Sequence, residues 1–239
     1  MISILMPVYN TNLIYLKQCI KSISCQTFKN KIQLVIIDDG SNEIIKEYLD
    51  GLKLDDRFTI TIHHNEQNLG ICKSLNVGLD LCENELIARM DSDDAMMPNR
   101  LQVQYDYFKN KPDTDILGSG IKIFNELKMM MHIDETFPLE IDPKWRINKN
   151  INYFIPHPTV MFKKSCIKEL NGYDELLKGY PEDFDLWIRA LIKRKKIRMT
   201  NQVLLLYRSH SDQLSRKMSK DSNLKIAHMK LKLKQALGL

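Results

Sequence analysis

The chain has 239 residues, 44% hydrophobic and 27% charged, which suits one domain of ordinary soluble composition with a substantial core. Its formal net charge is +5, and no Lys/Arg run interleaved with aromatics precedes the C-terminal tail; this argues against nucleic-acid binding and suits an anionic ligand or an anionic membrane surface. The five cysteines (Cys19, Cys25, Cys72, Cys82, Cys166) contain no CxxC pair, which argues against a zinc cage or disulfide framework and for free thiols in a reducing compartment.

In chain order, Ile2–Met6 reads as a strand without the basic flank of a signal peptide, and no apolar run approaches bilayer length. A cytoplasmic protein is expected, or one lying on the cytoplasmic face of a membrane. Leu13–Ser24 reads as a helix with Leu13, Leu16, Ile20 and Ile23 on one face. Gln33–Ile37 is a continuous apolar strand of the kind covered on both sides. A polar helix (Glu43–Leu52), a strand (Phe58–His63), a helix (Ile71–Leu81) and a short strand (Leu86–Met90) follow. This βα alternation predicts a parallel sheet with helices on both faces. A helix from Pro98 to about Lys109, a strand over Asp115–Phe124, a strand over Thr159–Phe162, a helix over Glu182–Lys193 and a strand over Val203–Tyr207 complete the reading. Lys128 to Asn152 has no clear period. The expected organisation is one α/β domain over 1–215 and a basic amphipathic helix over 216–239, packed on it or appended to it.

Two apolar strands end in acidic clusters, Asp38-Asp39-Gly40-Ser41 and Asp91-Ser92-Asp93-Asp94. Ligands of open α/β sheets bind beyond the carboxyl ends of the strands. Aspartates there can cap the following helices. On an extended segment, however, Asp91 and Asp93 point the same way, and such a pair can hold Mg2+ or Mn2+ with positions left for phosphate oxygens.

Together with Pro7-Val8-Tyr9-Asn10, Asn68-Leu69-Gly70, Asn76-Val77-Gly78 and Glu182-Asp183, these clusters resemble the ordered signatures of family 2 glycosyltransferases of GT-A fold, over nearly the whole chain. The resemblance implies a Rossmann-like, mostly parallel sheet and an inverting, metal-dependent transfer of a hexosyl or N-acetylhexosaminyl group. It implies a UDP-sugar as donor and a hydroxyl of a saccharide, glycolipid or glycoprotein as acceptor. It implies nucleotide-sugar binding by Pro7, Val8, Tyr9, Asp39, Asn68, Lys73, Asp91 and Ser92, although Lys73 reads equally well as a solvated helix residue. Asp93 is the expected principal metal ligand, with Asp91 and His210 beside it, and Asp183 the expected base. His157, Glu182 and Trp187 are candidates for the acceptor or sugar pocket; Trp187 also reads as core, and Glu182 and Asp183 would in any case favour a helix N-terminus.

In the tail, Leu224, Ala227 and Leu231 share one helical face and Ile226, Met229, Leu233 and Leu237 a neighbouring one, among many lysines. Packing on the domain is the plainer expectation, and peripheral membrane contact the alternative. Two rival functions are a nucleotidyltransferase, which lacks its Gly-rich phosphate loop here, and a non-catalytic sugar-nucleotide-binding module.

Overall fold

The computed structural model describes residues 1–125, 129–130, 140–141, 155–177, 181–213 and 220–238, so most of the aperiodic stretch from Lys128 to Asn152 lies outside it. Strands β1 (Ile2–Val8), β2 (Ile32–Asp38), β3 (Phe58–His64) and β4 (Leu86–Arg89) are parallel, in the spatial order β3-β2-β1-β4. The runs of β1, β2 and β4 are mainly apolar because both faces are covered, whereas the edge strand β3 alternates and stays partly exposed. Leu5, Val35, Ile37 and Ile87 pack with helix α3 (Ile71–Leu81) on one side. Ile4, Met6, Leu34 and Ile36 alternate to the other side. There they meet α1 (Leu13–Ser24), α2 (Glu43–Asp50) and α4 (Arg100–Asn110). Helix α3 lies directly on the sheet at Gly78, where an added Cβ would come within 2.1 Å of Leu5 Cδ1. That close approach sets the N-terminus of α3 against the carboxyl ends of β1 and β2.

The second half departs from the parallel pattern. β5 (Ala95–Met96), β6 (Ile116–Phe124), β7 (Met129–Met130), β8 (Met161–Lys163) and β9 (Ile197–Arg208) extend the sheet through antiparallel pairs β4–β8, β8–β6 and β9–β5, with β6 and β9 parallel. Strand β9 begins six residues before the expected Val203, because Arg198 and Thr200 are buried polar residues that carry no apolar signal. Arg198 is satisfied by Asp113 Oδ1 and Thr114 Oγ1, both at 2.7 Å. Short elements escape periodicity altogether, including β5 and helix α5 (Lys164–Glu169). Helix α6 (Glu182–Ile192) packs against α7 (Lys220–Leu237), whose Ile226, Met229 and Leu233 are buried while Leu224 and Leu231 remain exposed. Among the described residues no helix is long and apolar enough to cross a membrane.

Candidate active site

The ends of β1, β2 and β4 open into a cavity of about 350 Å³, a size suited to a small ligand. Pro7, Val8, Tyr9, Asp39, Asn68, Asp91, Ser92 and Asp93 all line it. Lys73 does not: it is exposed, and its neighbour Ser74 faces the cavity instead. Gly70 of the Asn68-Leu69-Gly70 signature also lines the cavity, as do Thr11, Asp212 and Gln213, which carry no signal in the sequence strong enough to single them out.

Asp39 organises one side of this cavity. It is 3% exposed, and its carboxylate accepts from Asn65 Nδ2 (2.8 Å), Leu69 N (2.8 Å), Gly70 N (2.9 Å) and Asn68 Nδ2 (3.1 Å). Four donors on one buried carboxylate hold the Asn68-Leu69-Gly70 turn in place. An amide cannot accept from all four and brings two donors of its own. Asp39→Asn is therefore expected to cost about 1–3 kcal/mol of stability and to weaken nucleotide binding; urea unfolding and isothermal titration with UDP are the checks.

The carboxylates after β4 converge through a turn, not through the pleat of a strand. β4 ends at Arg89, and residues 91–94 form a turn in which Asp94 N approaches Asp91 O (3.4 Å). The expectation of an extended i, i+2 pair is thus corrected. The turn adds Asp94, and one ligand atom from each of Asp91, Asp93 and Asp94 lies within 4.8 Å of the others. Burial, then repulsion from Asp91, raises the Asp93 carboxyl above the ordinary range; burial and repulsion from both neighbours raise Asp94 well above it. Asp94 Oδ2 is buried with no hydrogen-bond partner. A hard divalent cation fits this donor set, since it would relieve the repulsion and take up free oxygens. His210 Nε2 sits 2.8 Å from Asp93 Oδ2, so the distant end of β9 reaches the same carboxylate. Arg208 holds the turn: its backbone N donates to Asp94 Oδ1 (2.8 Å), its Nε donates to Asp93 O (2.7 Å), and its guanidinium covers the rings of Tyr15 and Phe124.

Glu182 and Asp183 open α6, outside the lining of the cavity, and are linked electrostatically to the metal side by Arg89. Arg89 is 2% exposed, and its Nη1 lies 2.5 Å from Asp91 Oδ2. Burial, followed by the charge of Glu182, lifts the Asp183 carboxyl to about 6, against the opposing influences of His157 and Arg89. Glu182 is buried and also raised, by burial first. His157 Nδ1 lies 3.4 Å from Glu182 Oε1. Trp187 is 1% exposed and meets His157 edge-on at 5.9 Å, so it packs as core and offers no open face for a sugar to stack on.

A carboxylate-lined cavity at the strand ends, a carboxyl trio and a perturbed acidic pair suit a reaction that handles an anionic leaving group and a proton. The family model for glycosyl transferase family 2 matches residues 3–170. The chain belongs to glycosyltransferase family 2. It is 35% identical over 223 residues to the O-antigen biosynthesis glycosyltransferase WbnJ of Escherichia coli, covering 88% of this chain and 80% of that one. It is 31% identical over 199 residues to the E. coli UDP-Gal:alpha-D-GlcNAc-diphosphoundecaprenol beta-1,3-galactosyltransferase (79% and 67% covered). Among solved structures, S. aureus TarS 1–349 with UDP-GlcNAc superposes with a TM-score of 0.74 at 18% identity, over 99% of this chain and 70% of that one. In the UDP complex of the same TarS fragment the chain spans 64% of that fragment, with a TM-score of 0.71. The fold is accordingly GT-A, and this family 2 chain is a glycosyltransferase.

Proposed function

We propose that this glycosyltransferase moves a hexosyl or N-acetylhexosaminyl group from a UDP-sugar to an acceptor hydroxyl, with Mn2+ or Mg2+ and with inversion at the anomeric carbon. The observation that carries the reading is Asp183, an acid poised at about 6 and coupled through buried Arg89 to the carboxylate trio that suits a cation. The donor class is supported by the TarS complexes and by the UDP-galactose donor named for the E. coli relative.

In this reading Pro7, Val8, Tyr9, Asp39, Asn68 and Ser92 hold the nucleoside. Asp93 and Asp91, with His210 beside Asp93 and Asp94 adjoining them, would hold the ion, which would supply charge neutralisation for the departing diphosphate. Asp183 accepts the proton of the incoming hydroxyl, its raised pKa matching a base that works near neutral pH. One base with no assigned enzyme nucleophile corresponds to a single displacement. The acceptor is a glycan or a lipid-linked saccharide, met in the cytoplasm or at the cytoplasmic membrane face, where the lysines of α7 suit anionic headgroups.

The test is release of UDP from UDP-galactose and UDP-N-acetylglucosamine in the presence of Mn2+ and an alkyl-diphosphate-linked N-acetylglucosamine acceptor. Proton NMR of the product reads its anomeric configuration. Metal-dependent release with an inverted product is expected. Retention would remove the single-displacement mechanism, and indifference to both donors and to metal would remove the donor class.

A further inference from the structure

Tyr173 is a buried phenol that the mechanism above does not use. Its backbone is clamped by Asn76 of α3: Asn76 Oδ1 accepts from Tyr173 N (2.8 Å), and Asn76 Nδ2 donates to Tyr173 O (2.9 Å). Gly172 makes this approach feasible; its φ is +67°, and a Cβ there would lie 2.5 Å from Asn76 Oδ1. The Tyr173 Oη is 2.8 Å from His157 Nε2; on the far side of the ring Nδ1 faces Glu182 Oε1 at 3.4 Å, and neither Nδ1 nor Glu182 Oε2 has a hydrogen-bond partner among the described residues.

The proton order in this line follows from satisfying buried donors. His157 is held neutral, at about 3, by burial and by Arg89, so it carries one ring proton. If that proton sat on Nε2, Tyr173 would accept it, its own O–H would need another acceptor, and bare Nδ1 would face a carboxylate. If it sits on Nδ1, the Tyr173 O–H donates to Nε2 and Nδ1–H points at Glu182. The second order gives both buried donors a direction, and orphaned buried donors are the rarer fault.

We propose that Tyr173 is a positioning residue for the transfer reaction: its phenol donates to His157 Nε2, fixes the imidazole proton on Nδ1 toward Glu182, and so holds Glu182 as the anion beside Asp183. The inference rests on Asp183 being the base. The charged and titratable groups acting on Asp183 are Glu182, His157 and Arg89; Arg89 and Asp91 also act on Glu182. An anionic Glu182 makes Asp183 the stronger base. Because Tyr173 is also clamped to α3, which starts at the cavity, the line runs from the cavity to Asp183 through two hydrogen-bonded contacts and the 3.4 Å approach of His157 to Glu182.

The test compares Tyr173→Phe, Glu182→Gln and the double variant in the full chain with Mg2+ and UDP-galactose or UDP-N-acetylglucosamine, whichever turns over faster. Tyr173→Phe is expected to lower kcat roughly tenfold with donor KM within about twofold, the size of one lost step of base strength. In the Glu182→Gln background the same change is expected to alter kcat by less than about twofold, because the charge it works through is gone. Carbon-13 carboxyl titrations with Mg2+ and UDP, assigned through Glu182→Gln and Asp183→Asn, read the same order without turnover: Tyr173→Phe should move Glu182 upward and Asp183 downward. An unchanged kcat, a full additive loss on Glu182→Gln, or carboxyl titrations that do not move overturns the proposal. A wild-type chain that turns over neither donor defeats the donor assignment instead, and the carboxyl titrations still decide the role of Tyr173.

Discussion

Asp183→Asn is expected to lower kcat by roughly 10²–10⁴-fold, the range for loss of a positioned general base. Affinity for UDP should stay near that of the parent chain, since Asp183 lies outside the lining of the nucleotide cavity. In the parent chain kcat should fall as pH drops through about 6, where the raised carboxyl takes up its proton and can no longer accept one. The same substitution should raise thermal stability. The folded-state pKa lies above the ordinary aspartate value, so the folded protein binds the proton more tightly than the unfolded chain does. The charged carboxylate therefore costs stability above about pH 6, and that cost disappears toward low pH. A neutral amide removes it, so the melting temperature at pH 8 should rise while turnover collapses. Single-turnover kinetics and calorimetry on one preparation check both halves. A normal rate in Asp183→Asn would assign the base elsewhere.

Asp93→Ala is expected to lower metal-stimulated turnover by about 10³-fold, corresponding to several kcal/mol of lost charge stabilisation on the leaving diphosphate. Donor KM and the Mn2+ concentration for half activation should both rise. Without metal the variant should keep its melting temperature: it loses the 2.8 Å contact to His210, and it relieves the repulsion that burdens Asp94. Electron paramagnetic resonance of free Mn2+ measures the binding, and UDP release measures the rate. Unaltered Mn2+ affinity in Asp93→Ala would place the ion at other ligands.

Much of this architecture was legible in residue order. The alternation of strands and helices over the first ninety or so residues predicted a parallel sheet, because β1, β2 and β4 are covered on both sides and read as mainly apolar runs; the spatial order β3-β2-β1-β4, with the alternating β3 at the edge, came only from the fold. The acidic clusters at Asp39 and Asp91–Asp94 stood out because carboxylates directly after such strands need solvent, donors or a cation. Less was visible where polar residues are buried by long-range pairing. The first half of β9 depends on Arg198 meeting Asp113, 85 residues earlier in the chain.

Local chemistry thus determined which of the long strands form and where their charged ends fall, since these follow from periodicity and from the cost of burying charge. Tertiary structure alone decided the partners. Asp39 is bound by Asn65 and the Asn68-Leu69-Gly70 turn. Asp94 is joined to the metal-side carboxylates by a turn and held by Arg208, 114 positions away. Lys73 turns outward while Ser74 turns in, and Trp187 is sealed in the core. Each of these depends on which groups the folded sheet brings within about 3 Å of one another, a distance that spacing along the chain does not encode.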